Sequence, residues 1–196
     1  MSHEVEPATD MTTTDQTTDP PTIYQLDNNT AYIQLNRPDR LNAVTADLYD
    51  GIQRDLERAA DEGARVVVLE GKGRAFCVGA DMQNHGEQER SAKERREYVW
   101  NAQETCREIQ THSAPIIAKV NGYAIGAGAE LAMSADFVLM ANDAELRFPE
   151  LSIGTYVGGG VTYTLAQRVG AARAKELVLS AATVTGEDAA EEGIVT

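Results

Sequence analysis

The sequence predicts an α/β fold, and three observations carry that prediction. Short apolar runs of strand length alternate with longer segments of helical periodicity. Two of those runs lead into clusters of small residues, "GADM" at 79–82 and "GAGAEL" at 126–131, of the kind that join a strand to a helix. A hairpin is also legible, because Asn28-Asn29 separates "TIYQLD" from "TAYIQLN".

Residues 1–21 are rich in Thr, Asp and Pro and poor in large apolar groups, so they are expected to form a disordered acidic tail. Residues 22–196 are then one domain, long enough to bury a sizeable core. After the hairpin, "VTADLYDGIQRDLERAADEG" spaces Val44, Leu48, Ile52 and Leu56 along one helical face and ends at Gly63. "RVVVLEG" is a continuous apolar run, which predicts a strand covered on both faces. "GKGRAFCVGADM" is a Gly-rich turn. The charged stretch 87–113 carries an apolar stripe of Tyr98, Ala102, Cys106 and Ile109, and is expected to be a solvated helix or a mobile flap. "APIIAKV" predicts a strand, "GAGAELAMSAD" a helix and "FVLMA" a strand. "GGGVTYTLAQRVG" and "AARAKELVLSAA" predict two helices. No internal repeat is visible.

Composition excludes several classes of function. The net charge is −14, from 31 acidic and 17 basic residues, which disfavours nucleic acid and anionic membrane surfaces as partners. Lys72, Lys93, Lys119 and Lys175 are the lysines; the other basic residues are Arg. An acidic, lysine-poor surface fits a halophilic source, where salt screens self-repulsion. Cys77 and Cys106 make no disulfide framework, which points to a reducing, cytoplasmic compartment. His3, His85 and His112 lie far apart and none has zinc-ligand spacing, so no metal is expected. There is no G-x-S-x-G nucleophile turn. The N-terminal segment has no apolar centre of the signal-peptide kind, and no run is long enough to span a bilayer.

The small-residue turns carry the chemistry. A helix's first turn has N–H groups without intrahelical acceptors, backed by the positive end of the dipole. One such group from each turn could grip a single oxygen and form an oxyanion hole. Close helix–strand packing also selects Gly and Ala, and for one turn alone it is the commoner reason. A dinucleotide fingerprint at "GAGAEL" is weak, since Leu131 replaces its third glycine. Glu130 is the second clue: a carboxylate in an otherwise apolar helix, where burial is costly. Glu150 is the third. It follows Pro149, which could open a helical turn, although a glutamate there also simply complements the helix dipole. Two carboxylates beside an oxyanion hole suit water addition or proton shuttling next to a carbonyl.

Four segments, in order, resemble the crotonase superfamily, the enoyl-CoA hydratase/isomerase group: "NRPDRLNAV" (36–44), "AFCVGADM" (75–82), "NGYAIGAGAELAMSAD" (121–136) and "FPELSIGTYVGGG" (148–160). The resemblance implies a spiral of ββα units and an acyl-CoA thioester substrate, with coenzyme A as part of the substrate rather than a separate cofactor. It implies that the N–H groups of Ala80 and Ala127 polarise the thioester carbonyl and that Glu130 and Glu150 are the catalytic pair. The CoA would lie along Arg40, Leu41, Val78, Gly79, Ala80, Asp81 and Met82. The implied reaction is reversible hydration of a trans-2-enoyl-CoA, with Δ3–Δ2 isomerisation or other acyl-CoA chemistry, and a non-catalytic assembly module, as alternatives. A homotrimer or homohexamer is implied. Ala127 stands where the family commonly has Gly, and "TYVGGG" lacks a proline many hydratases place there. Family chains continue beyond the equivalent of "EEGIVT" into C-terminal helices, so that helical part is expected to be absent here and the 196-residue chain unstable on its own.

Overall fold

The hairpin forms as β1 (Thr22–Asp27) and β2 (Thr30–Leu35), paired antiparallel in a computed structural model that describes residues 19–81 and 91–196. Asn28 and Asn29 make its turn with φ of 47° and 65°, the left-handed conformation that Asn tolerates and a tight hairpin demands. Most of the expected tail lies outside the described residues. Its last two residues are held in place, because the carbonyls of Pro20 and Pro21 accept hydrogen bonds from Asn36.

Helix α1 (Ala46–Asp61) begins where the Thr45 side chain accepts from the N–H of Leu48, and it buries Leu48, Ile52 and Leu56 as its spacing predicts. Strand β3 (Val66–Gly71) follows and pairs parallel with β2. Helix α2 (Ala92–Thr111) opens with a full capping box, Ser91 and Glu94 bonding each other's backbone N–H. Its Cys106 and Ile109 are buried, and Tyr98 and Ala102 pack on the core, so this charged segment is a docked helix from residue 92 onward. Next come β4 (Ile116–Val120), β5 (Tyr123–Ile125), α3 (Ala127–Met133), β6 (Phe137–Met140) and β7 (Glu145–Arg147). Helix α4 (Val161–Ser180) is broken at Gly170 (φ 78°, ψ 157°), where the sequence divides it into two. Strand β8 (Val184–Thr185) and helix α5 (Gly186–Glu191) complete the described chain.

The large sheet has the order β1-β2-β3-β4-β6, parallel from β2 onward. Register puts Ile33, Leu69, Ala118 and Val138 in one row, all essentially inaccessible to solvent. The opposite face carries Tyr32, Val68, Ile117 and Phe137, then Gln34, Glu70, Lys119 and Leu139. There Glu70 accepts from Gln34 and pairs with Lys119, and Phe137 and Leu139 are exposed. The expectation that β3 is covered on both faces is therefore corrected. Val67 and Leu69 are buried while Val66 and Val68 are only half-buried, because a polar ladder lies on the second face.

A smaller sheet, β5-β7-β8, escaped the sequence analysis because its strands are too short to show a period. It continues through isolated bridges from Ala124 to Cys77 and from Ala80 to Val44. After β3 the chain is bridged into this second layer at Cys77 and Ala80, after β4 it enters β5 and after β6 it enters β7, and a helix follows each. This is the expected repetition of ββα units. Among the described residues, no helix is long and apolar enough to cross a membrane.

Candidate active site

Parallel pairing of β3 with β4 brings their C-terminal ends side by side, and the two small-residue turns leave from there. Their contact is set by glycine. Gly79 has a φ of +86°, and a Cβ on it would stand 2.8 Å from the Ile125 carbonyl oxygen and 3.5 Å from the Ala127 nitrogen. Gly128 lies so tightly on the Cys77 carbonyl that an added Cβ would fall 2.1 Å from its oxygen.

Among the described residues, hydrogen bonding leaves the amides of Ala80 and Ala127 without acceptors. Val44 donates to the carbonyl of Gly79 and accepts from the N–H of Asp81. In a parallel bridge this turns the N–H of Ala80 away from Val44. Ala127 is the first residue of α3, so its N–H has no intrahelical acceptor. Among the described residues neither N–H has an acceptor, and both residues are half-buried. Two donors on abutting turns, open from one side, are what an oxyanion hole requires.

The carboxylates arrive by the second sheet. β5 pairs parallel with β7, and the N–H of Gly126, just past β5, donates to the Arg147 carbonyl at 2.9 Å. Past β7 the chain enters a 3-10 turn, Glu150–Ile153, as Pro149 predicts. A Cβ on Gly126, whose φ is +56°, would lie 3.0 Å from Glu150 Oε1. Glu130, one turn into α3, is buried with Glu150 beside it; they are 8% and 6% exposed. Glu130 Oε1 accepts from the N–H of Gly158 at 2.6 Å. Glu150 Oε2 is buried and has no hydrogen-bond partner among the described residues. A buried orphan of this kind calls for a ligand or a reacting group.

Burial raises the Glu130 carboxyl to about 7; the Gly158 hydrogen bond opposes the shift and the neighbouring Glu150 adds to it. Glu150 is also raised, again by burial. In both carboxyls desolvation is the leading cause.

The residues expected along the CoA are mostly neighbours. The Leu41 carbonyl accepts from the N–H of Val78 at 3.3 Å, which sets 40–41 beside 78–80. The side chain of Asp81 is engaged within the protein. It is buried, and its oxygens pair with Arg37 at 2.9 Å and Arg40 at 3.3 Å. Met82 lies outside the described residues. Arg37 and Asn42 were not singled out from the sequence. Arg37 also donates to the Ala43 carbonyl. Asn42, fully buried, accepts from the Arg37 N–H and donates to the carbonyls of Lys72 and Ala75. Gly158 was missed as well, although three consecutive glycines ahead of a helix were a usable signal. Among the described residues, no three His, Cys, Asp or Glu side chains group as metal ligands.

The family model for enoyl-CoA hydratase/isomerase matches residues 25–196. The chain belongs to the enoyl-CoA hydratase/isomerase family. It is 36% identical over 166 residues to a 2,3-dehydroadipyl-CoA hydratase of Escherichia coli, a match covering 83% of this chain and 63% of that one. It is 34% identical over 178 residues to a crotonyl-CoA hydratase of Syntrophomonas wolfei, covering 88% and 66%. The chain thus spans less than two thirds of the length of these family members. The solved structure of an enoyl-CoA hydratase from Bacillus anthracis superposes with a TM-score of 0.84 at 30% identity, covering 89% of this chain and 68% of that one. The family's crotonase fold is the fold described above.

Proposed function

We propose that this chain carries an enoyl-CoA hydratase site, adding water reversibly across the C2–C3 double bond of a trans-2-enoyl-CoA to give a 3-hydroxyacyl-CoA. The observation that carries the reading is the buried Glu130–Glu150 pair beside the N–H groups of Ala80 and Ala127, which have no acceptor among the described residues. The thioester oxygen sits on those two amides, which take up the enolate-like charge as it develops. One carboxylate accepts a proton from the water that attacks C3, and the other protonates C2. Burial holds the Glu130 carboxyl at about 7 and raises that of Glu150, an environment in which one carboxyl can act as base and the other as acid. Coenzyme A arrives as part of the substrate, along Arg40, Leu41 and Val78–Met82. Arg37 and Arg40 hold Asp81, and so stiffen the turn that presents Ala80. The working protein is a homotrimer or homohexamer in the cytoplasm, and the acidic, lysine-poor composition favours a halophilic source.

The test is hydration of crotonyl-CoA by the wild-type chain, Glu130→Gln and Glu150→Gln. General acid–base catalysis is worth about 10²–10⁴-fold, and each variant is expected to lose at least that. Full turnover in both variants overturns the assignment. A Δ3–Δ2 isomerase needs a single proton-shuttling carboxylate, so product analysis with 3-enoyl-CoA separates it. Tight acetoacetyl-CoA binding without turnover of any enoyl-CoA identifies a non-catalytic module.

A further inference from the structure

The hydrogen bond that holds Glu130 comes from a segment with little stiffness of its own. Gly158, Gly159 and Gly160 are consecutive, and the last two have φ of +59° and +73°. Glycine in such a run has the widest backbone freedom available. The run cannot be replaced by bulkier residues, because it wraps the carboxylate: a Cβ on Gly158 would lie 3.1 Å from Glu130 Oε2, and one on Gly159 would lie 2.9 Å from Glu130 Cβ. Something outside the turn has to fix it.

Gln110, in the last turn of α2, reaches both ends of this arrangement. Its side-chain Nε2 donates to the Gly159 carbonyl at 2.8 Å. The same nitrogen lies 3.3 Å from Ser134 Oγ. Ser134, buried, donates in turn to the backbone carbonyl of Glu130 at 2.8 Å. One amide therefore ties the turn that donates to Glu130 to the helix that carries Glu130. We propose that Gln110 is a positioning residue: it locks the Gly158–Gly160 turn onto α3 and so keeps the Gly158 N–H aimed at the Glu130 carboxylate. The proposal rests on the hydratase reading for its kinetic consequence, but not for its geometry.

The groups that face Glu130 are Tyr49 from α1, Cys106 from α2 and Glu150 from the turn after β7. Burial holds Tyr49 well above its ordinary range and Cys106 at about 12, so neither changes charge near neutral pH. Among the described residues, Glu150 is the neighbour whose titration could be confused with that of Glu130.

The experiment uses Gln110→Met, which keeps the side chain's length and removes its donor. Gln110 lies at an exposed position, so this variant is expected to fold. Gln103→Met, at an exposed position on the same helix, is the control. Two readouts are taken. The Glu130 carboxyl is titrated by carbon NMR, assigned with the help of Glu150→Gln, and crotonyl-CoA hydration is measured as separate kcat and KM. A weakened Gly158 bond leaves desolvation unopposed, so in Gln110→Met the Glu130 midpoint should rise by roughly one pH unit. The kcat should fall about tenfold to a hundredfold, with KM changed less than about twofold. Gln103→Met should match wild type in both. An unmoved midpoint in Gln110→Met overturns the proposal even if the wild type hydrates crotonyl-CoA. A moved midpoint in a wild-type background that hydrates nothing keeps the proposal and removes the hydratase reading.

Discussion

The backbone N–H of Gly158 donates to Glu130 Oε1 at 2.6 Å, yet the carboxyl is still raised to about 7. Such a bond favours the ionised form, so burial outweighs it. The site therefore holds a carboxyl that is half-protonated at neutral pH, with an anchored oxygen and a second carboxyl, Glu150, beside it.

That arrangement has a cost in stability with a definite pH window. The ordinary value for Glu130 is 4.5 and the folded value is about 7. Between these the folded chain binds more protons than the unfolded one, so stability falls as pH climbs from about 4.5 to 7 and stays low above. At about 1.4 kcal/mol per unit, the penalty is on the order of 3 kcal/mol. Glu130→Gln removes it. Urea unfolding should show the variant more stable than wild type at pH 8, and the two similar at pH 4. Equal stability at both pH values would contradict the raised carboxyl.

Gly79→Ala should damage both fold and site. The position has a φ of +86°, and the new methyl would stand 2.8 Å from the Ile125 carbonyl oxygen. Left-handed strain and the clash together should cost about 1–3 kcal/mol of stability. The Ala127 amide lies against the same glycine, so the two donors are pushed apart, and kcat on crotonyl-CoA should drop by about a hundredfold. Thermal melts and kinetics on the same preparation check the pair of effects. Wild-type kcat would show that the two turns need not touch there.

Asp81→Ala removes the buried partner of Arg37 and Arg40. Arg37 is the more enclosed of the two, with a side chain 21% exposed. Breaking a buried ion pair from one side typically costs about 3–5 kcal/mol, and the exposed part of Arg40 reduces that here. A loss of about 2–3 kcal/mol is expected in urea unfolding. Arg37→Ala should cost a similar amount and the double variant little more, because the energies are shared. Additive losses would mean that the two side chains act independently.

Much was legible in the sequence because it is written in local patterns. The Asn28-Asn29 turn, the faces of α1 and α2, the break at Gly170 and the turn opened by Pro149 each follow from residues within a few positions of one another. Glu130 stood out because a carboxylate amid "AELAM" has no local reason to be there. The resemblance in four segments then supplied the family.

Tertiary structure decided what no local pattern holds. The strands β5, β7 and β8 are two or three residues long, too short to show a period, yet β5–β7 pairing is what sets Glu150 against Gly126. The open second face of the large sheet depends on what other elements cover, not on the apolar run in β3. Asp81 lies in a small-residue turn, and its side chain is held by Arg37, 44 positions earlier. Gly158 reaches Glu130 across 28 positions, and Gln110 reaches Gly159 across 49. Hydrogen bonds over such separations follow from which strand ends lie side by side, and that is a property of the assembled sheets.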